Sequence, residues 1–124
     1  MAISLVLTSA MLSACIQPAG GPRLRIRNAG AQPIENLVVL FPEARIEFGD
    51  VAAGATTEYL KVPNGVYSYA AYEYEVNGET IVQPVIDWVG EQPMQGSAFT
   101  YTVDFDPART RWEVLQLVEV TRDE

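Results

Sequence analysis

Alternating hydrophobic and polar residues divide most of the chain into short segments that are typical of β-strands. The clearest alternation lies at residues 99–106, where four large apolar side chains alternate with two threonines and two aspartates. Similar patterns, bounded by Gly, Pro and Asn, predict strands at residues 23–27, 34–41, 45–48, 56–62, 66–76, 79–82 and 112–121. Turn residues recur about every ten positions, as in small all-β domains. The pattern predicts an all-β fold, an antiparallel β-sandwich of about seven to eight strands.

Two turns and one irregularity are also predicted from local residue types. Asn77-Gly78 is typical of a type I′ turn in a β-hairpin. Asp106-Pro107 places proline at the second position of a turn. The tyrosines of the segment 66–76 change parity at Ala70-Ala71, so we expect a bulge or bend there that exchanges the two faces of the strand.

The composition limits the classes of function. The 124 residues include 8 basic and 16 acidic side chains, and the net charge is −8. Because nucleic-acid binding requires a basic face, no nucleic-acid partner is expected. The chain has no histidine and a single cysteine, Cys15, which excludes Ser-His-Asp and Cys-His catalysis and the usual zinc sites. We therefore expect no enzyme activity, no metal and no cofactor.

The N-terminal part combines an uncharged apolar run, residues 2–11, with the tetrapeptide Leu12-Ser13-Ala14-Cys15. The run is shorter than the about 20 residues that a membrane-spanning helix needs, but it suits the apolar region of a signal peptide. Small residues before a lone cysteine resemble the lipobox of bacterial lipoprotein signal peptides. That resemblance implies cleavage before Cys15, lipid on its thiol and new amino group, and a location in the bacterial cell envelope.

The same resemblance divides the chain into a signal peptide, a tether and a domain. Residues 1–14 would be removed, residues 15–22 would form the lipidated cysteine and a flexible Pro/Gly tether, and residues 23–124 would form the β-sandwich. Ile16 stands where Asp would imply retention at the inner membrane, so the resemblance implies the outer membrane in a Gram-negative host. No Lys or Arg precedes the apolar run, which departs from ordinary signal peptides. The alternative is that residues 3–16 form a buried strand or helix.

The middle of the domain carries a second resemblance. Residues 48–78 contain a strand, a Gly-Ala-Thr-Thr turn, a tyrosine-containing strand, a Pro-Asn-Gly turn and a tyrosine-rich strand. This order is similar to the immunoglobulin-like or transthyretin-like modules of bacterial surface lipoproteins, and it implies an immunoglobulin-like sandwich. The Cys…Trp…Cys signature of antibody domains is absent.

Two aromatic regions are candidate binding surfaces. The segment 66–76 carries four tyrosines, on both parities of one predicted strand, so they cannot all face one core: Tyr67, Tyr69, Tyr72 and Tyr74. Exposed tyrosines provide contact area at a low entropy cost. The predicted crossover loop at residues 86–96 adds Asp87, Trp88 and Glu91. The alternatives are that the tyrosines pack across a twisted sheet and that Trp88 closes one end of the sandwich.

Three arginines on one face of the first predicted strand are a candidate membrane contact. Arg23, Arg25 and Arg27 follow Cys15 closely in the sequence. A basic residue near anionic headgroups contributes about 1 kcal/mol. The alternative is a solvated strand face, or cross-strand pairs of these arginines with Glu58, Glu73, Glu75 or Glu119.

From these features we expect a non-catalytic, lipid-anchored protein that binds or scaffolds another envelope component, with a protein partner of unknown identity. An alternative is a carrier of a small apolar or aromatic ligand, which requires an interior cavity of about 300 Å³. A more remote alternative is a hydrolase that uses carboxylates such as Asp87 and Glu91. Asp104 and Asp106 would begin a calcium site, although a pair of solvated acids is the simpler interpretation.

Overall fold

The computed structural model describes residues 21–85 and 87–124, and in this part of the chain it contains eight strands and no helix. No helix that could cross a bilayer therefore lies within these residues. The proposed signal peptide, lipobox and most of the tether lie outside the described residues. The strands are β1 (Arg23–Asn28), β2 (Ile34–Phe41), β3 (Ala44–Val51), β4 (Leu60–Lys61), β5 (Ala71–Val76), β6 (Glu79–Gln83), β7 (Ala98–Phe105) and β8 (Leu115–Arg122).

The strands form two four-stranded sheets. The first sheet has the order β4-β1-β7-β8 and the second has the order β3-β2-β5-β6. Neighbouring strands are antiparallel except for β1 and β7, which pair in parallel from Arg23 opposite Ala98 to Asn28 opposite Val103. The predicted all-β sandwich is confirmed. The parallel pair joins segments far apart in the chain, so no local pattern could have predicted it.

Apolar side chains from both sheets meet in one core. On β7 the predicted inward set is confirmed, because Phe99, Tyr101, Val103 and Phe105 are all buried. Aromatic contacts link the sheets: the rings of Phe41 and Tyr101 lie 6.2 Å apart, and those of Tyr74 and Phe105 lie 5.2 Å apart in an edge-to-face arrangement. Burial of these large side chains is the main stabilising contribution to the sandwich.

Two predicted strands are much shorter in the structure. The segment predicted at residues 66–76 is a strand only from Ala71, and the segment predicted at 56–62 is a strand only at Leu60–Lys61, with an isolated bridge between Arg27 and Thr56. The physical reason is that the chain passes from β4 in the first sheet to β5 in the second sheet. The predicted change of face at Ala70-Ala71 therefore coincides with a change of sheet.

Both predicted turns are confirmed. Asn77 and Gly78 have φ angles of 52° and 80°, and Val76 pairs with Glu79, as a two-residue type I′ hairpin requires. In the loop after β7, the amide of Arg109 donates to the carbonyl of Asp106 at 3.1 Å. The first turn fixes the register of β5 and β6, which is regular along its whole length.

Candidate binding surfaces

The loop between β6 and β7 brings Trp88 against two of the predicted tyrosines. The rings of Trp88 and Tyr69 are stacked, with centroids 5.2 Å apart and an interplanar angle of 24°. Tyr67 meets Trp88 edge to face at 5.3 Å and lies 5.6 Å from Phe41. The aromatic side chains thus form a continuous path from the surface to the core, and Trp88 packs on that core. This arrangement agrees with the alternative in which Trp88 closes one end of the sandwich.

Backbone contacts hold this loop in place. The amide of Met94 donates to the carbonyl of Val66 at 2.8 Å, and Gly65 lies so close to Pro93 that an added Cβ would be 2.6 Å from the proline Cβ. The Tyr69 hydroxyl donates to the carbonyl of Asp87 at 3.1 Å. Partial burial, and then the nearby Glu91 carboxylate, raise the pKa of Tyr69. The loop is therefore anchored at several points along the 62–69 segment.

Tyr72 and Tyr74 do not belong to an exposed surface, and the prediction that they do is wrong. Their exposed fractions are 4% and 1%, because both side chains of β5 point into the space between the sheets. The Tyr74 hydroxyl donates to Oε1 of Gln83 at 2.7 Å, and Nε2 of Gln83 donates to the carbonyl of Leu115 at 2.8 Å. The Tyr72 hydroxyl has no hydrogen-bond partner among the described residues, and burial raises its pKa.

The acidic members of the predicted loop surface lie at its rim. The Asp87 carboxylate accepts a hydrogen bond from the amide of Val89 at 2.8 Å, and the amide of Glu91 donates to the carbonyl of Trp88 at 3.0 Å. Neither acid lines any of the surface pockets described below. The side chains of Tyr67, Tyr69, Asp87, Trp88 and Glu91 therefore form one anchored patch.

The arginine stripe lies on the outer face of the first sheet and is partly neutralised. Arg23 and Arg25 approach the ring of Tyr59, with guanidinium carbons 4.9 and 4.7 Å from its centroid. Arg23 also forms an ion pair with Glu124 at 3.2 Å. Arg27 is exposed and forms no ion pair within the described residues. Arg23 therefore pairs with an acid, but Glu124 is not one of the predicted partners Glu58, Glu73, Glu75 and Glu119. Membrane contact by the stripe stays a prediction.

Asp123 completes this cluster. Its Oδ2 accepts hydrogen bonds from the hydroxyls of Thr100 at 2.6 Å and Tyr59 at 2.8 Å. The Thr100 hydroxyl in turn accepts a hydrogen bond from Nε of Arg25 at 2.9 Å. Loss of solvent alone would raise the pKa of Asp123, but the two hydroxyl donors outweigh this effect and lower it. These contacts fix the end of the chain after β8 against β1 and β7.

The outer face of the second sheet carries an open pocket of about 440 Å³. At its centre Arg45 binds Glu73 with two nitrogen–oxygen contacts of 3.0 Å and contacts Glu47 at 3.2 Å. The hydrogen bonds from Arg45 lower the pKa of Glu73. An irregularity of β2 at Asn36, whose φ is 49°, shapes one wall. Two of the three glutamates that line this pocket, Glu47 and Glu73, are therefore paired with an internal cation.

A further surface, which the sequence did not predict, lies on the side of the sandwich where β6 and β8 form the free edges. Three large apolar side chains are exposed there: Val82 to 48%, Trp112 to 53% and Val118 to 61%. A groove of about 390 Å³ runs along β6 and is walled on its other side by Pro107, Arg111 and Val114. The alternation at residues 112–121 predicts that Trp112 is a strand residue on the same face as Val114 and Val118. The sequence pattern therefore does not indicate that Trp112 is exposed.

Asp104 and Asp106 have partners within the protein. Asp104 forms an ion pair with Arg109, and Oδ1 of Asp106 accepts a hydrogen bond from the amide of Ala108 at 3.0 Å. Across residues 21–85 and 87–124, no group of three or more acidic side chains is arranged to hold a metal ion. The pockets found in this part of the chain open to solvent, whereas a carrier needs an interior cavity.

Comparison with known proteins gives no family: no family model matches the chain, and no curated protein or solved structure is significantly similar to it.

Proposed function

We propose that this protein is a non-catalytic, lipid-anchored protein of the bacterial cell envelope whose β-sandwich binds another envelope component. The lipobox-like tetrapeptide ending at Cys15 supports the anchor. The observation that carries the binding function is Trp112, a large side chain that is 53% exposed on a backbone with φ of 77°. Trp, Tyr and Arg are the residues most enriched among those that dominate binding energy at protein interfaces.

The backbone at Trp112 explains why its exposure is informative. The amide of Glu113 donates to the carbonyl of Thr110 at 3.0 Å, so Trp112 occupies the third position of this turn, where a positive φ favours Gly or Asn. A bulky residue with positive φ is an outlier, and such strain costs about 1–3 kcal/mol and clusters at functional sites. The guanidinium of Arg111 stacks on the indole, with its carbon 5.0 Å from the ring centroid. An indole held outward at this cost supports a binding role for Trp112.

The anchor is tested by metabolic labelling with a palmitate analogue. We expect the wild-type chain to incorporate label and to fractionate with membranes, and we expect Cys15→Ser to do neither, because Cys15 is the only thiol in the chain. Thr8→Ser, which leaves the tetrapeptide intact, is the control and should label as the wild type does. Equal labelling of the Cys15→Ser chain, or release of the wild-type chain into buffer without detergent, would contradict the anchor.

The binding function is tested by site-specific photo-crosslinking in native envelopes. A photoreactive residue in place of Trp112 should give one dominant cross-linked protein, identified by mass spectrometry. The control places the same photoreactive residue at Val89, which is 86% exposed in the loop between β6 and β7. Position 89 should not give that product. If position 112 yields only the background seen at position 89, the proposed function is wrong.

A further inference from the structure

We propose that the groove along β6 binds an extended, basic peptide segment of the partner by adding it as a strand to the second sheet. This inference rests on the proposed function, because it specifies the chemistry of the partner and the surface that receives it. The β6 groove is defined here as the pocket between Glu79–Gln83 and the wall formed by Pro107, Arg111 and Val114.

The backbone of β6 provides the first argument. Within the described residues β6 pairs with β5 alone, so the amide and carbonyl groups on its other side are available to another strand. Four consecutive residues of β6, from Glu79 to Val82, line the groove. Extended peptides bind exposed sheet edges in this way, with main-chain hydrogen bonds giving affinity and alternate side chains giving specificity.

The other edges of the sandwich are less suitable. β4 has only two residues. β3 pairs with β2 through register shifts, and β8 carries a bulge in which Val118 has no partner on β7. Bulges twist an edge away from further pairing. By contrast, β6 keeps a regular register with β5 from Val76–Glu79 to Tyr72–Gln83, which leaves a straight edge of five residues before Pro84.

The side chains around the groove select an apolar residue of the peptide. Val82 lies opposite Glu73 on the outer face of the second sheet and is 48% exposed, although it is apolar. Ile81, Pro107 and Val114 add apolar atoms to the walls. The guanidinium of Arg111 connects this lining to the exposed indole of Trp112. An apolar side chain of the added strand would cover Val82, and the strand would pass beside Trp112.

Charge complementarity selects a basic peptide. The strands of the second sheet carry six acidic side chains and one basic side chain, Arg45, whereas those of the first sheet carry two acidic and five basic ones. Arg45 is already bound to Glu73 and Glu47. The groove itself is lined by one acid, Glu79, and one base, Arg111. The attraction for Lys or Arg therefore comes from the acidic side chains of the second sheet and from the net charge of −8, which also disfavours an acidic segment or a second copy of the chain.

The test uses the full chain in detergent and defined peptides. The probe is a fluorescent, end-blocked nonapeptide of alternating valine and lysine, and binding is measured by anisotropy at low and high salt. We expect its Kd to be about tenfold or more lower than that of the valine–glutamate peptide, the size of effect expected when complementary charges are replaced by like charges. A probe with N-methyl groups on alternate backbone amides should lose binding, because it cannot pair with β6.

Matched variants test whether the peptide binds in the β6 groove. Val82→Ser should weaken binding of the probe about tenfold, the loss expected for one anchoring side chain, while Val89→Ser should not change the Kd. The proposal is overturned if the N-methylated probe binds equally well, or if the two variants behave alike. If the peptide does not bind but position 112 still cross-links, strand addition is rejected and the proposed function stands. If neither peptide binding nor cross-linking is found, both strand addition and the proposed function are rejected.

Discussion

Tyr72 and Tyr74 stand two positions apart on β5 and are both buried, but among the residues that the structure describes only Tyr74 has a partner for its hydroxyl. A buried hydroxyl without a hydrogen bond costs about 1–3 kcal/mol, whereas a satisfied one contributes about 1 kcal/mol net. The two residues therefore have opposite effects on stability, although the sequence pattern around them is the same.

We expect Tyr72→Phe to raise the free energy of unfolding by about 1 kcal/mol, because it removes a desolvated hydroxyl at nearly unchanged volume. Tyr74→Phe is the matched comparison and should lower that free energy by about 1 kcal/mol, because it breaks the hydrogen bond to Gln83. Urea denaturation followed by circular dichroism measures both. A loss of stability in Tyr72→Phe comparable to that in Tyr74→Phe would mean that the Tyr72 hydroxyl is satisfied in solution.

Asn28 shows a residue role that sequence alone missed. The predicted strand ends at residue 27, whereas β1 continues to Asn28, which is fully buried. Its Nδ2 donates to the carbonyl of Gln32 at 2.8 Å, and its Oδ1 accepts from the amide of Gly30 at 3.0 Å. The same Nδ2 lies 3.3 Å from the carbonyl of Val51, the last residue of β3. The Asn28 side chain therefore holds the loop to the end of β3, a contact that the local sequence pattern does not show.

At the scale of elements, the loop between β6 and β7 depends on its contact with the turn at Gly65. Gly65 and Gly54 both have positive φ, 101° and 77°, but only at Gly65 would a Cβ meet a neighbour, Pro93. Substitution at Gly54 therefore tests backbone strain alone, and substitution at Gly65 tests backbone strain together with steric contact with the loop.

We expect Gly54→Ala to cost about 1–2 kcal/mol from backbone strain alone. Gly65→Ala should cost about 1–3 kcal/mol more, because its methyl group overlaps Pro93. Displacement of the loop should also shift the emission of Trp88, measured in a Trp112→Phe background. Equal unfolding free energies for the two variants, with unchanged Trp88 emission, would show that Pro93 moves away freely.

The predicted strands are confirmed where the whole predicted segment pairs within one sheet. They are too long where the chain passes from one sheet to the other. The alternation of β7 and the hairpin signal of Asn77-Gly78 were sufficient to predict the inward residues and the turn. At residues 66–70 the alternation continues, but the backbone leaves the first sheet before it enters the second. Alternation reports which face of a strand a side chain lies on, and it does not report which strand supplies the hydrogen bonds.

At the scale of the whole molecule, the stability of the fold at acidic pH depends on carboxylates that hydrogen-bond donors keep ionised. Arg45 lowers the pKa of Glu73 from its ordinary value of 4.5. A group whose pKa is lower in the folded state stabilises the protein above the pKa of the unfolded state and loses this contribution as the pH falls through the folded value. Protonation of Glu73 therefore removes stability below about pH 4.5, the ordinary value for a glutamate.

We expect the free energy of unfolding to fall as the pH is lowered from about 4.5, and we expect this dependence to be weaker in Glu73→Gln, which has no proton to gain. Glu43→Gln, an exposed acid between β2 and β3, is the control and should follow the wild type. Urea titrations at several pH values measure the slope. A slope in Glu73→Gln identical to the wild type would show that the ion pair is too exposed to matter.

The sequence by itself determined the all-β class, most strand positions, the two turns and the inward side of β7, because these depend on alternation and on local φ preferences. It also supplied the lipobox-like tetrapeptide at Cys15. The tertiary structure alone decided that Tyr72 and Tyr74 are buried, that Tyr69 stacks on Trp88, and that Val82 and Trp112 are left exposed beside a free strand edge. These depend on which sheet each strand joins, and pairing between distant segments is not encoded in any local pattern.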